Sequence, residues 1–145
     1  MLKVEHIGIA VKSLNDSVAL FEILLNTTCY KTEIVESESV RTAFFQKGET
    51  KIELLESLQP GGVISKFLEK KGEGIHHIAF EVEDIEAEIQ RLTSKGFTVL
   101  NPVPKEGADN KLVVFLHPKS TNQVLIELCM NKKTPGTTRG NTYED

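Results

Sequence analysis

The sequence has few aromatic residues and only a modest net charge. Of its 145 residues, 6% are aromatic and none is tryptophan, so a platform that stacks nucleic-acid bases is not expected. Aspartate and glutamate outnumber lysine and arginine, and the net charge of -4 argues against nucleic acid as the main partner. An anionic small molecule is still compatible with this charge, because a metal ion or a group of lysines can reverse its sign inside a site.

Long hydrophobic runs and clustered cysteines are also absent. No apolar run approaches the roughly 20 residues that a membrane-spanning helix needs, so no membrane association is expected. The N-terminal segment alternates between apolar and polar residues and lacks the pattern of a signal peptide. The two cysteines, Cys29 and Cys129, are far apart and outside any CxxC motif. This usage favours reduced thiols and predicts a cytoplasmic protein.

Hydrophobic periodicity divides the chain into strands and helices. Apolar residues at helical spacing follow Ser13 and Asp84, two good N-caps, and predict helices there; a shorter helix is expected from Val63 to Gly72. Residues 101–110 hold two prolines and a glycine and are expected to form a loop. Alternating β-branched stretches predict strands at about residues 4–11, 30–36, 40–47, 51–57, 75–82, 97–100, 111–116 and 123–129.

These elements predict a single α+β domain over residues 1–130. The order strand–helix–strand–strand–strand occurs twice, in modules that cover about residues 1–58 and 75–130. A short helical linker over residues 59–74 joins them. The polar segment 131–145 is expected to be a disordered tail.

The sequence itself repeats between the two modules. His77 lies 71 residues after His6, and the apolar residues around the two histidines correspond at the same offset. Glu127 lies 74 residues after Glu53, in matching Ile-Glu-Leu segments. Repeated apolar residues alone would reflect a shared type of core. A repeat that also duplicates one histidine and one glutamate points to a shared site.

Side-chain alternation along the strands places the two histidines and the two glutamates on one surface. Successive residues of a strand face opposite sides of the sheet, and the apolar neighbours of these four residues are expected to pack against the helices. The opposite surface also carries Gly8, Ala10 and Ala79, which leave room for a ligand. His76 is expected on the helix side or at the start of its strand, as a bystander.

Two imidazoles and two carboxylates on one surface form a donor set for a divalent metal ion. Mixed nitrogen and oxygen donors suit Mn, Fe, Co, Ni or Zn better than Ca or Mg alone, although an oxygen-rich substrate would favour Mg. An octahedral ion with four protein ligands keeps two positions for substrate oxygens. The sequence therefore predicts one divalent ion (Co, Mn, Ni, Zn or Mg) bound by His6, Glu53, His77 and Glu127.

Five segments stand out as motifs: EHIGIAVKSL, KIELLES, GEGIHHIAFEVEDI, FLHPKS and VLIEL. Together they resemble the vicinal oxygen chelate superfamily and, within it, the methylmalonyl-CoA epimerase family, over about residues 1–130. GIHHIAF followed by HPKS and LIEL is specific to this branch, whereas HIG alone is widespread. The resemblance implies that the two βαβββ modules pair into a curved mixed sheet around one metal site. It also implies that the metal ligands are His6, Glu53, His77 and Glu127.

The resemblance further implies a reaction. Members of this branch interconvert (R)- and (S)-methylmalonyl-CoA by abstracting the C2 proton through a metal-stabilised enolate, with Glu127 and Glu53 as candidate catalytic residues. The partner would be a CoA thioester, and the protein a homodimer. Contacts to the CoA phosphates are expected from Lys119, Lys66, Lys70 and Lys71. Two alternatives are an isomerase similar to lactoylglutathione lyase (glyoxalase I) and a metal-free small-molecule binding protein.

The sequence departs from the family pattern at several positions. Thr42 stands where a known epimerase carries a glutamate proposed as one of two catalytic bases, and a threonine cannot act as that base. Glu53 stands where some epimerases have glutamine. Residues 107–110 read GADN where the family has a glycine-rich stretch. His117, before a proline, is expected to shape a loop rather than take part in catalysis.

Overall fold

The computed structural model describes residues 1–132, so most of the predicted tail lies outside the described residues. Asn131 still belongs to the last strand. Cys29 and Cys129 are free. The α-helices are α1 (Leu14–Leu25), α2 (Val63–Lys71) and α3 (Ile85–Ser94). The strands are β1 (Lys3–Ala10), β2 (Lys31–Val35), β3 (Val40–Lys47), β4 (Thr50–Ser57), β5 (Gly74–Glu81), β6 (Lys105–Gly107), β7 (Lys111–Leu116) and β8 (Ile126–Asn131).

All eight strands form one mixed sheet in the order β2-β3-β4-β1-β5-β8-β7-β6. The first strands of the two modules, β1 and β5, pair antiparallel at the centre. Each also pairs in parallel with the last strand of its own module, β4 or β8. The outer neighbours pair antiparallel. The predicted α+β fold with two paired βαβββ modules in a mixed sheet is therefore confirmed.

Helices α1 and α3 cover equivalent parts of the outer face of the sheet. Leu14 of α1 packs in an apolar cluster with Leu54 of β4. Ile85 of α3 packs in a second cluster with Leu128 of β8. Helix α2 packs against the other face at one end, beside Ala10. None of the helices within residues 1–132 is long and apolar enough to cross a membrane.

The two edge strands meet through side chains, and this contact closes the curved sheet around a cavity. Lys31 Nζ of β2 lies 3.0 Å from Asp109 Oδ1, just beyond β6. The Asp109 N–H donates to Glu33 Oε1 of β2 at 2.9 Å. Lys105 of β6 forms an ion pair with Glu38, which follows β2. This contact between the edge strands β2 and β6, which we call the seam, is thus made of charged pairs.

The sixth strand lies later in the chain than the sequence predicts. Within residues 97–100, for which the sequence predicts a strand, Val99 makes only an isolated bridge to Leu116. Phe97 and Val99 instead pack against the core cluster beneath α3. Strand β6 falls inside the predicted loop 101–110 and pairs with β7. Strand β6 is short and lies at the edge of the sheet, and its residues are mostly polar. No alternation of apolar residues therefore marks it in the sequence.

Candidate metal centre

Four strands of the central sheet bring the four predicted site residues together in one cavity. They lie on neighbouring strands, one histidine and one glutamate from each module, and all four side chains are buried. The sheet order places β4 and β8 on either side of the central pair β1 and β5. We call these four residues the candidate metal centre: His6, Glu53, His77 and Glu127.

The ligand atoms of the candidate metal centre lie close to one another. His6 Nε2 and His77 Nε2 are 3.0 Å apart. His6 Nε2 lies 3.3 Å from Glu53 Oε1 and 3.6 Å from Glu127 Oε1. His77 Nε2 lies 3.6 Å from Glu53 Oε1 and 3.2 Å from Glu127 Oε1. Each imidazole nitrogen therefore faces both carboxylates.

This donor set fits a divalent metal ion. Atoms bound to one ion at about 2.0–2.2 Å stand about 3 Å apart in adjacent positions, which is close to the distances from each imidazole to the other donors. The ligand atoms of His6, His77 and Glu127 all lie within 4.8 Å of one another. Two buried carboxylates also need a compensating positive charge. When protons supply the only positive charge in the site, burial would lower the pKa of His6, but hydrogen bonds to the carboxylates of Glu127 and Glu5 raise it to about 10. The site is therefore built to hold positive charge.

The residues that precede the two histidines also face the cavity, which simple alternation does not predict. The pairing of β1 with β5 shifts by one residue at Glu5 and again at His76. Each shift is a β-bulge, in which the side chain of the extra residue turns to the same face of the sheet as the side chain of the histidine that follows it. Glu5 Oε1 lies 2.6 Å from His6 Nδ1, and His76 Nδ1 lies 2.9 Å from His77 Nδ1. The expectation that His76 lies on the helix side or at the first residue of its strand is therefore wrong.

The contacts at Nδ1 favour one tautomer of His6 and are compatible with the same tautomer of His77. Burial would raise the pKa of Glu5, but hydrogen bonds from His6 and Lys51 lower it to about 2, so Glu5 accepts and His6 Nδ1–H donates. Burial and the neighbouring His77 lower the pKa of His76 to about 4, so His76 is neutral at pH 7. A His77 Nδ1–H that donates to His76 leaves both Nε2 atoms free to bind a metal ion.

The cavity has a volume of about 300 Å³ and mostly apolar walls, which include Phe44, Leu55, Val113 and Phe115. A small acyl group fits such a space, whereas a larger ligand would extend beyond the mouth. Thr42 lies fully buried in the wall, and its hydroxyl donates to a backbone carbonyl at 3.5 Å. A threonine hydroxyl is a very weak base, so Thr42 does not replace a catalytic carboxylate at this position.

Gly8 of β1 lies directly against the imidazole of His77. A Cβ atom built on Gly8 would stand 2.2 Å from His77 Cε1, far inside van der Waals contact. The corresponding residue of β5, Ala79, is opposite His6 and is fully buried. The small residues noted in the sequence therefore make room for the imidazoles themselves as well as for a ligand.

The other predicted residues lie outside the candidate metal centre. His117 precedes a 3₁₀ turn over Pro118–Ser120, and its Nδ1 accepts the Lys119 N–H at 3.1 Å, so it shapes a loop as predicted. Neither Lys119 nor the predicted lysines of α2 are among the residues that line the cavity. Residues 107–109 of the GADN segment do line it.

Comparisons with known proteins place the chain in a family. The family model described as Glyoxalase/Bleomycin resistance protein/Dioxygenase superfamily matches residues 5–115. An ethylmalonyl-CoA/methylmalonyl-CoA epimerase of Cereibacter sphaeroides is 41% identical over 128 residues, which cover 87% of this chain and 96% of that protein. The uncharacterised protein YqjC of Bacillus subtilis is 40% identical over 132 residues, 91% of this chain and 94% of that protein.

Solved structures agree with this family. A methylmalonyl-CoA epimerase in complex with methylmalonyl-CoA and NH4+ superposes with a TM-score of 0.85 at 32% identity, covering 90% of this chain and 95% of the other. The chain belongs to the Glyoxalase/Bleomycin resistance protein/Dioxygenase superfamily. The resemblance to the vicinal oxygen chelate superfamily that the sequence motifs indicate is thereby confirmed.

Proposed function

We propose that this member of the superfamily is a metal-dependent epimerase that interconverts (R)- and (S)-methylmalonyl-CoA. The observation that carries the proposal is the convergence of one histidine and one glutamate from each module in a single buried cavity. Relatives named methylmalonyl-CoA epimerase, at 36–41% identity in Homo sapiens, Dictyostelium discoideum and Cereibacter sphaeroides, support both the enzyme class and the substrate.

The candidate metal centre would hold one divalent ion, with Co, Mn, Ni, Zn and Mg as candidates. When bound, such an ion supplies a positive charge that stabilises the negative charge developing on substrate oxygens as the C2 proton leaves. The protein contributes the apolar walls around this charge, including Phe44 and Phe115. They exclude water and so strengthen the electrostatic interactions inside the cavity.

Glu53 and Glu127 are the proposed proton carriers. They reach the cavity from β4 and β8, which flank the central strands on opposite sides. Epimerisation requires one group to remove the C2 proton from one face and a second group to return a proton on the other face. Burial would raise the pKa of Glu127, but hydrogen bonding to His6 lowers it overall, so Glu127 is a carboxylate that can accept a proton.

The substrate carries a CoA handle that is larger than the cavity, so the acyl group would lie inside and the handle outside. The lysines of α2 and Lys119 are the proposed cationic contacts for its phosphates, because the net charge of -4 makes local positive charge necessary. The homodimer and the cytoplasmic location predicted from the sequence stay predictions.

Incubation with methylmalonyl-CoA in deuterated water, followed by NMR at C2, tests the proposal. We expect exchange of the C2 proton for deuterium together with racemisation. Chelator treatment should abolish both, and Co or Mn should restore them better than Ca, because two imidazoles disfavour a purely oxygen-seeking ion. Full activity in protein shown to be metal-free by elemental analysis would overturn the metal requirement.

A parallel assay with the hemithioacetal of methylglyoxal and glutathione tests the alternative reaction. That substrate lacks both the carboxylate next to the reacting carbon and the phosphate-bearing handle. We expect little turnover. Rapid turnover of the hemithioacetal without deuterium entering methylmalonyl-CoA would overturn the epimerase assignment and favour a lactoylglutathione lyase.

A further inference from the structure

Glu5 is a buried carboxylate with charged contacts on several sides. Its Oε1 lies 2.6 Å from His6 Nδ1, and its Oε2 lies 2.6 Å from Lys51 Nζ. Lys111 Nζ lies 3.7 Å from the same Oε2. The side chain of Glu5 is only 2% exposed. A buried carboxylate is tolerated only where its charge is compensated, and here the bulge at Glu5 brings that compensation within reach.

Lys51 connects Glu5 to Asp109 in the wall of the cavity. Its Nζ lies 2.6 Å from Asp109 Oδ2, and the other oxygen of Asp109 lies 3.0 Å from Lys31 Nζ. Asp109 has a φ of 59° and lies in the 107–109 segment that lines the cavity. Lys51 is thus held between two carboxylates, and it fixes Glu5 from the side opposite His6.

The proposed reaction assigns no direct role to Glu5. Both of its oxygens are engaged, one by an imidazole and one by an ammonium group. It is not one of the four residues whose ligand atoms meet at the candidate metal centre. An apolar residue at this strand position would avoid the cost of burying a charge, so the carboxylate and its bulge point to a role exerted through His6.

We propose that Glu5 is a positioning residue that holds His6 in its Nδ1–H tautomer and directs Nε2 at the bound cation, while Lys51 holds the carboxylate in place. This inference rests on the proposed function, because it concerns the metal site that His6 would share. A carboxylate at the far nitrogen of a metal-binding imidazole fixes the orientation of the ring and raises its basicity. Removing such a partner weakens metal binding by roughly 10- to 100-fold.

Co²⁺ affinity of the purified full chain tests the inference without relying on activity. We expect Glu5→Gln to bind Co²⁺ roughly 10- to 100-fold more weakly than the wild type, measured by competition with a chelator. Glu33→Gln is the matched control, because Glu33 also belongs to the charged network around Asp109 but is not a partner of His6. It should bind Co²⁺ as the wild type does. Equal affinities of Glu5→Gln and the wild type would overturn the inference.

A second measurement uses the wild type and so does not depend on how a variant folds. In the Zn²⁺-loaded protein with ¹⁵N-labelled histidine, NMR should show His6 protonated at Nδ1. A His6 that lacks this proton would overturn the inference. Absence of Co²⁺ binding in the wild type would instead overturn the proposed metal site, and with it the proposed function. The two failures are therefore distinguishable.

Discussion

The two halves of the molecule supply the same candidate metal ligands but support them differently. In each half a β-bulge precedes the histidine and turns one more polar side chain towards it. In the first half that side chain is the carboxylate of Glu5, and in the second it is the neutral imidazole of His76. The repeat thus preserves the groups that would touch a cation and leaves the groups behind them free to differ.

The difference extends one layer further from the candidate metal centre. Lys51 precedes the Ile-Glu-Leu segment of the first half and binds Glu5. The residue at the equivalent position of the second half is Leu125, which lines the cavity. The first half therefore holds its histidine by a chain of charges, whereas the second half uses an uncharged, largely apolar support. Variants made in matched pairs across the two halves test how far this asymmetry matters.

The largest expected effects come from the histidines themselves. His6→Ala and His77→Ala each remove one imidazole ligand, and both should lose most of the bound metal and reduce epimerase activity by roughly 10³-fold or more. A bound ion contributes several kcal/mol to such a reaction, and each 1.36 kcal/mol corresponds to a factor of ten. Elemental analysis and C2 deuterium exchange measure the two losses. His117→Ala is the control and should keep both. Full metal content in either variant would break the equivalence of the two halves.

We expect substitution of the two glutamates to affect turnover differently in the two halves. Glu127→Gln keeps an oxygen ligand but removes a base, so metal should be retained and turnover should fall at least ~100-fold, the lower end of what acid–base groups supply. Glu53→Gln should be milder, because glutamine stands at this position in some epimerases that the chain resembles. Steady-state kinetics with matched metal analyses checks this. Small, equal losses in both variants would show that neither carboxylate is the base.

His76→Ala removes the partner of His77 Nδ1, which we expect to contribute less to metal binding than Glu5 does at His6. Because His76 is neutral, we expect its removal to weaken Co²⁺ binding by roughly tenfold or less, at the low end for such partners and below the effect of Glu5→Gln. Chelator competition under the same conditions compares the two variants directly. A larger loss from His76→Ala than from Glu5→Gln would reverse the proposed asymmetry.

The smallest effects are expected at the helix N-caps, which occupy equivalent positions in the two halves. Ser13 Oγ accepts the Asp16 N–H at 3.3 Å, and Asp84 Oδ1 accepts the Ala87 N–H at 3.1 Å. Each alanine substitution should cost about 0.5–2 kcal/mol of unfolding free energy. Asp84→Ala should cost more, because its negative charge also interacts with the helix dipole. Urea denaturation measures both, and a greater cost for Ser13→Ala would contradict this order.

The repeat made most of the fold and the convergence of the four site residues predictable from the sequence. Strand side chains alternate with a period of two, so the apolar partners of His6 and Glu53 define which face those residues occupy. The same rule failed at Glu5 and His76. A bulge inserts one residue and reverses the alternation locally, and the strand sequence carries no signal for it.

The error at the sixth strand has a different physical cause. Phe97 and Val99 are apolar because they pack against the core beneath α3, and these alternate residues give the segment 97–100 the composition of a strand. Strand β6 forms because backbone groups of residues 105–107 pair with β7 at the edge of the sheet. Its neighbour Asp109 forms ion pairs that close the seam with β2. Such contacts depend on tertiary structure and leave no periodic pattern in the chain.

The contact between Gly8 and His77 sets a limit on mutational tolerance. Any side chain at position 8 would displace the imidazole, because even a Cβ atom would stand 2.2 Å from the ring. The corresponding position 79 already carries a methyl group opposite His6. Saturation mutagenesis at the two positions should therefore recover only glycine at the first and small residues at the second. Equivalent positions of β1 and β5 are thus under different steric constraints, because each strand must make room for the side chains of the other.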